Sequence, residues 1–175
     1  MIHQDRQPQL LAALAVLLVS GCAPPFGQFP PGEDVIEVGT PGEYLTCART
    51  AAAARPDTQV VGPPGGQLMS GANQLTIPAN ALPENRTLVL RQEYGNRVGV
   101  VIDADPPVRF AGNRSATLII DIGHCDSDEI GDLSRWSVWR MAPPRGNQSQ
   151  RLRTFVAGSR MRTQIDSTSG FMIAN

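Results

Sequence analysis

The sequence predicts an all-β protein, an antiparallel β-sandwich. Short runs rich in β-branched residues recur at intervals of about 8–12 residues with turn chemistry between them. Gly and Pro together are 32 of 175 residues, which supplies those turns. No stretch keeps a 3.6-residue apolar period long enough for a major helix.

The elements follow in chain order. Val35 to Val38 reads as a short strand ended by Gly39, and Glu43 to Arg49 as another. Thr50 to Ala54 has helical propensity that Pro56 limits. Gly62-Pro63-Pro64-Gly65-Gly66 is a strong break. Gln67 to Ser70 and Gln74 to Ile77 then flank a turn at Gly71-Ala72-Asn73, and Pro78 ends the second run because it cannot donate to a ladder. Thr87 to Gln92 follows the loop Pro83 to Arg86. Val98 to Ile102 and Thr117 to Ile122 are β-branched runs. In Arg135 to Arg140, Trp136, Val138 and Trp139 compete for the inward face. Arg151 to Val156 alternates polar with apolar and reads as one strand. Arg160 to Ile165 and Phe171 to Ala174 complete the set.

Composition excludes several functions. Fifteen Arg, with no Lys, face 16 Asp plus Glu, a formal net charge of −1. That is too little positive charge for a nucleic-acid binder. Apolar residues are 41%, too many for a wholly disordered chain.

Leu10 to Val19 is an unbroken apolar run of ten, half the length a bilayer-crossing helix needs. It suits the core of a signal peptide. Val19-Ser20-Gly21-Cys22 follows it directly, and this stretch resembles the lipobox of bacterial lipoproteins. The resemblance implies cleavage before Cys22 and acylation of its thiol and amine, so residues 1–21 are read as a lipoprotein signal peptide. Each buried CH₂ of the acyl chains contributes about 0.8 kcal/mol, so the chain would be held to the bilayer through Cys22. Ala23 follows the Cys rather than an Asp, which the same resemblance associates with the outer membrane if the cell is Gram-negative. Removing 21 of the 175 residues leaves 154. Residues 22–34 are Pro- and Gly-rich and read as a flexible tether, and residues 35–64 as an N-terminal extension with short strands.

With Cys22 lipidated, Cys47 and Cys125 remain, an even number in an oxidising compartment, and a disulfide between them is expected. The alternative is two unrelated buried thiols. His124 is the only His beyond residue 3, no C-x-x-C pair exists, and no metal ligand is assigned.

Gly65-Gly66-Gln67-Leu68, then Leu75-Thr76-Ile77-Pro78 through Ala81-Leu82-Pro83, then Thr87-Leu88-Val89-Leu90, resemble the opening of a ZU5 domain. Phe110, Ser115 to Ile120, Trp136 to Arg140 and Ser167 to Ala174 fall where that family has its later strands. The likeness spans residues 65–175. It implies a binding module for other proteins, with no catalytic or cofactor-binding residue. Some relatives cut their own chain at a closing H-F-S; here Ser167 and Thr168 replace the His and Phe, so Ser169 has no neighbouring base. Leu68, Leu75, Ile77, Ala81 and Leu82 are expected in the core.

Three further patterns bear on chemistry. Asp121, Asp126, Asp128, Glu129 and Asp132 form a dense acidic stretch, without the register of an EF-hand loop, and read as a solvated turn rather than a Ca²⁺ site. Charge is split: Cys22 to Asp132 holds 7 Arg and 14 acids, Leu133 to Asn175 holds 7 Arg and 1 acid. The halves either pair across strands or leave a basic face for an anionic partner. Three N-x-S/T sequons are read as chance. The sequence therefore points to an envelope lipoprotein whose sandwich binds or scaffolds an envelope protein or a surface polysaccharide. A self-processing or small hydrolytic module, or a plain spacer, is the alternative.

Overall fold

The computed structural model describes residues 35–48, 54–93, 95–111, 114–142 and 148–175. The expected signal peptide, the tether with Cys22, Arg49, most of the helix-prone Thr50 to Ala54, and Arg145 lie outside the described residues.

Two antiparallel sheets pack face to face. The larger runs β1 (Val35–Gly39), β9 (Ser149–Leu152), β8 (Ser137–Arg140), β12 (Gly170–Ala174), β6 (Gly99–Ala104), β5 (Arg86–Gln92), β2 (Asp57–Val61). The smaller runs β10 (Thr154–Ala157), β11 (Arg160–Ile165), β7 (Ala116–Asp121), β4 (Asn73–Ile77), β3 (Gly66–Ser70). The only α-helix among the described residues is α1 (Ser127–Ile130), one turn long.

The period of two decides which side chains meet. In β4 and β7 every second residue is fully buried: Leu75 and Ile77 in one, Ala116, Leu118 and Ile120 in the other. They face Leu88 and Leu90, Val100 and Ile102, and Phe171 and Ile173 from the larger sheet, forming one apolar cluster between the layers. Leu68, Ala81 and Leu82 join it. Trp136 is also buried there, with its indole N–H donating 2.6 Å to the Ile130 carbonyl. Val138 points into this core. Trp139 is just as buried but lies outside the cluster, so the competition between them is settled in favour of Val138.

Two of the chain's changes of sheet are tight corners. The first is Gly62 to Gly65, where the Gly65 N–H returns to the Gly62 carbonyl at 2.9 Å. Gly65 has φ +80°, and a Cβ there would sit 2.5 Å from the Ile77 carbonyl oxygen, so only glycine fits. The second corner corrects the sequence reading. Arg151 to Val156 is not one strand. It divides into β9 and β10, which belong to opposite sheets, with only Arg153 between them. Thr154 makes the break: its hydroxyl accepts the Val138 N–H at 2.8 Å and donates to the Leu152 carbonyl at 3.0 Å, replacing backbone ladder bonds with side-chain ones.

Three smaller differences have local causes. Glu43 to Ala48 forms isolated bridges, Tyr44 to Ala174 and Thr46 to Arg97, rather than a strand, because it crosses between two strand ends. Asn73 belongs to β4, not to the turn. Its buried amide donates to the Ser70 carbonyl and accepts the Asp121 N–H at 2.9 Å, tying two strands together. Asp57 to Val61 is a strand the pattern did not reveal. It is a largely exposed edge, so its sequence carries no burial alternation. Both β1 and β2 sit in the larger sheet, so the extension over residues 35–64 contributes two of its strands.

Candidate functional site

A cleft of about 620 Å³ opens at one end of the sandwich, where strand ends from both layers converge. Arg140 ends β8, and Asp166 follows β11. The Arg140 guanidinium donates through Nη1 to an Asp166 carboxylate oxygen and to the Ser167 hydroxyl at 2.6 Å, and through Nε to the Gln150 side-chain oxygen at 2.9 Å. The Ser167 hydroxyl in turn donates to Asp166 at 2.7 Å. Arg109, bridged to Ser167 through the backbone, holds its guanidinium 3.9 Å from the second carboxylate oxygen. The Arg140 side chain is 13% exposed and that of Arg109 is 83% exposed, so one cation builds the floor and the other stands at the rim.

The Ser167 oxygen accepts from a guanidinium while its proton is directed to a carboxylate. The Ser169 hydroxyl donates to the Met141 carbonyl at 3.3 Å, and no hydrogen bond joins it to His124 among the described residues. Among the described residues that line the cleft, two arginines and one carboxylate stand beside the neutral amides and hydroxyls of Gln148, Gln150, Ser115 and Thr168.

The cysteines lie elsewhere. Cys47 and Cys125 are joined by a disulfide with a Cα–Cα distance of 5.0 Å, and His124 is the third member of that cluster. Bonded sulfurs are not thiolates, so this trio offers no metal site in the oxidised protein.

Three acids of the acidic stretch accept backbone N–H groups. The two Glu129 carboxylate oxygens accept the Ala48 N–H at 2.5 Å and the Asp126 N–H at 2.8 Å. Asp121 accepts the Gly123 N–H at 3.2 Å. Asp132 accepts the Ser134 N–H at 2.9 Å and caps the 3-10 turn Leu133–Arg135. That backbone bond, with the Ser134 hydroxyl and Arg135 as smaller contributors, holds the Asp132 carboxyl below its ordinary value of 3.8. Its folded value is depressed, so its contribution is present above 3.8 and is lost as pH falls through the folded value. Asp132→Asn should therefore flatten the acid limb of a urea-midpoint titration between pH 7 and 2, with the wild type's advantage confined to the higher pH.

Charge pairing links the halves of the chain: Arg135 to Glu43 at 3.0 Å and Arg151 to Glu37 at 3.4 Å. Sequence reasoning singled out Ser167 and Ser169 but not the grouping of Arg109, Arg140, Asp166 and Ser167. One signal was present, because Asp166 is the only acid beyond Asp132. No protein-family model matches the chain, and no curated protein matches it.

Proposed function

We propose that this chain is an envelope lipoprotein, anchored to the bilayer through acylated Cys22, whose β-sandwich is a non-catalytic binding or scaffolding module. The cleft at Arg109, Arg140, Asp166 and Ser167 is its recognition site for an envelope protein. The observation that carries this reading is the exposed Arg109 guanidinium at the rim of a cleft whose floor Arg140, Asp166 and Ser167 cross-link. A cleft so cross-linked is rigid, which reduces the ordering cost of docking a partner. The ZU5 resemblance and the lipobox resemblance supply the module type and the anchor.

The test uses the full chain in its own envelope, with a photo-crosslinking side chain in place of the exposed Arg109. A discrete protein adduct is expected in the membrane fraction, and Cys22→Ser should move the protein to the soluble fraction. No adduct, together with unchanged fractionation of the Cys22→Ser chain, contradicts the proposal.

A further inference from the structure

The cysteine pair gains a second use once its sulfur–sulfur bond is open. Cys47 and Cys125 come from segments 78 residues apart, and one nitrogen of the His124 ring lies within 4.8 Å of both sulfurs. Neighbouring side chains on extended backbone point to opposite sides. His124 and Cys125 converge because the chain turns at Gly123 to Cys125, a turn closed by the Cys125 N–H on the Ile122 carbonyl at 3.0 Å. Among the described residues the His124 imidazole makes no hydrogen bond or ion pair. Cys47 is buried while Cys125 and His124 are half-buried, so the cluster is reached from one side. Its backbone is also held independently of the sulfurs. Glu129 clamps the residue after each cysteine, one carboxylate oxygen accepting the Ala48 N–H and the other the Asp126 N–H. The Cys47 N–H donates to the Asn96 carbonyl at 2.9 Å.

We infer that Cys47, Cys125 and His124 form a redox-gated site for a thiophilic divalent cation of the zinc class. A dithiol reductant gives the sulfur–sulfur bond two electrons and two protons, becomes a cyclic disulfide itself, and leaves two thiols on the protein. Each thiol releases its proton as its sulfur takes the cation. Two thiolates and an imidazole are donors that zinc accepts, with water in the fourth position. The same set disfavours Ca²⁺ and Mg²⁺, which take oxygen ligands. Two thiolates on one tetrahedral zinc ion, each about 2.3 Å from it, stand about 3.8 Å apart. Rotation about the two Cα–Cβ bonds supplies that separation, and the Glu129 clamp keeps both backbones in place meanwhile. The metal then fastens the same two segments that the disulfide fastens in the oxidised protein.

None of the three residues lines the cleft, so the test does not depend on what the cleft binds. Full-length protein in detergent is reduced with a water-soluble phosphine, which takes an oxygen from water to become phosphine oxide. It is then freed of phosphine under argon and titrated with Co²⁺, a coloured stand-in for Zn²⁺. One Co²⁺ per chain, with a sulfur-to-cobalt charge-transfer band that Zn²⁺ abolishes, is expected; the oxidised protein should show no band. Zn²⁺ should raise the Tm of the reduced protein and leave that of the oxidised protein unchanged. Cys125→Ala should abolish the band and Cys22→Ser should keep it. His124→Ala should weaken Zn²⁺ binding by more than the roughly tenfold that loss of an outer-shell partner costs. Absence of the band from the reduced wild type overturns the inference, as does a band lost in Cys22→Ser. So does a His124→Ala protein that binds Zn²⁺ as tightly as the wild type, which would mean two thiols holding metal without the imidazole. A reduced protein that loses its β circular dichroism and does not regain it with Zn²⁺ overturns it too.

Discussion

Phe171→Ala is expected to destabilise the fold by about 3–5 kcal/mol, the range for deleting a buried aromatic ring. Phe171 is fully buried on β12, which pairs with β6 on one side and β8 on the other. Its ring lies in the apolar cluster between the layers. A domain has only about 5–15 kcal/mol in total, so this one change removes a large share. Urea denaturation should show a lower midpoint at unchanged slope. Phe171→Leu, which keeps most of the volume, should lose clearly less. Equal losses for the two variants would mean the ring is not packed as described.

Opening the Cys47–Cys125 disulfide is expected to cost about 2–5 kcal/mol, the range for removing a native disulfide. The bridge spans 78 residues of sequence, and in the chain-entropy account a long loop is the case in which a cross-link most restricts the unfolded chain. In the folded state it fastens the segment before Arg49 to the region of α1. The Glu129 to Ala48 hydrogen bond and the Arg135 to Glu43 pair hold the same segment. Those polar contacts are exposed and contribute little alone. Calorimetry of the Cys47→Ala/Cys125→Ala protein should therefore show a markedly lower Tm, and adding reductant to that variant should change nothing further. Wild type with reductant should approach the variant. A reductant-insensitive wild type with a Tm equal to the variant's would show that the two sulfurs are unbonded.

What the sequence made legible follows from how local each signal is. Leu75-Thr76-Ile77 alternates because one face of β4 is sealed against the other sheet, and that pattern survives in the residue order; β7 was readable instead as a β-branched run. Gly65 was readable for the same reason, since a left-handed residue at a corner has few alternatives. The division of Arg151 to Val156 was not. Polar and apolar residues alternate as far as Arg153, Phe155 then falls out of phase, and the Thr154 hydroxyl, bonded to a strand 16 residues away, marks where the sheets exchange. Edge strand β2 has no sealed face and so leaves no period to read. The cleft was hidden for another reason: Arg109, Arg140 and Asp166 come from three separate segments, and their meeting is a property of the topology. The lone acid Asp166 among seven arginines was a compositional hint that some cation would need it. The acidic stretch was readable as turn-forming. That Glu129 also reaches across to the Ala48 amide was not, since that contact joins residues 81 apart.

The proposed protein loses its signal peptide, is otherwise uncut and fixed to lipid at Cys22, and carries a domain that binds rather than cleaves. Intact mass spectrometry of the full-length protein, expressed in a bacterial host and extracted from its membranes with detergent, tests this most directly. The predicted result is one species that begins at Cys22, runs unbroken to Asn175 and carries a diacylglycerol and an amide-linked acyl chain. A chain still beginning at Met1 without added lipid, or two fragments parted beside Ser169, would contradict it.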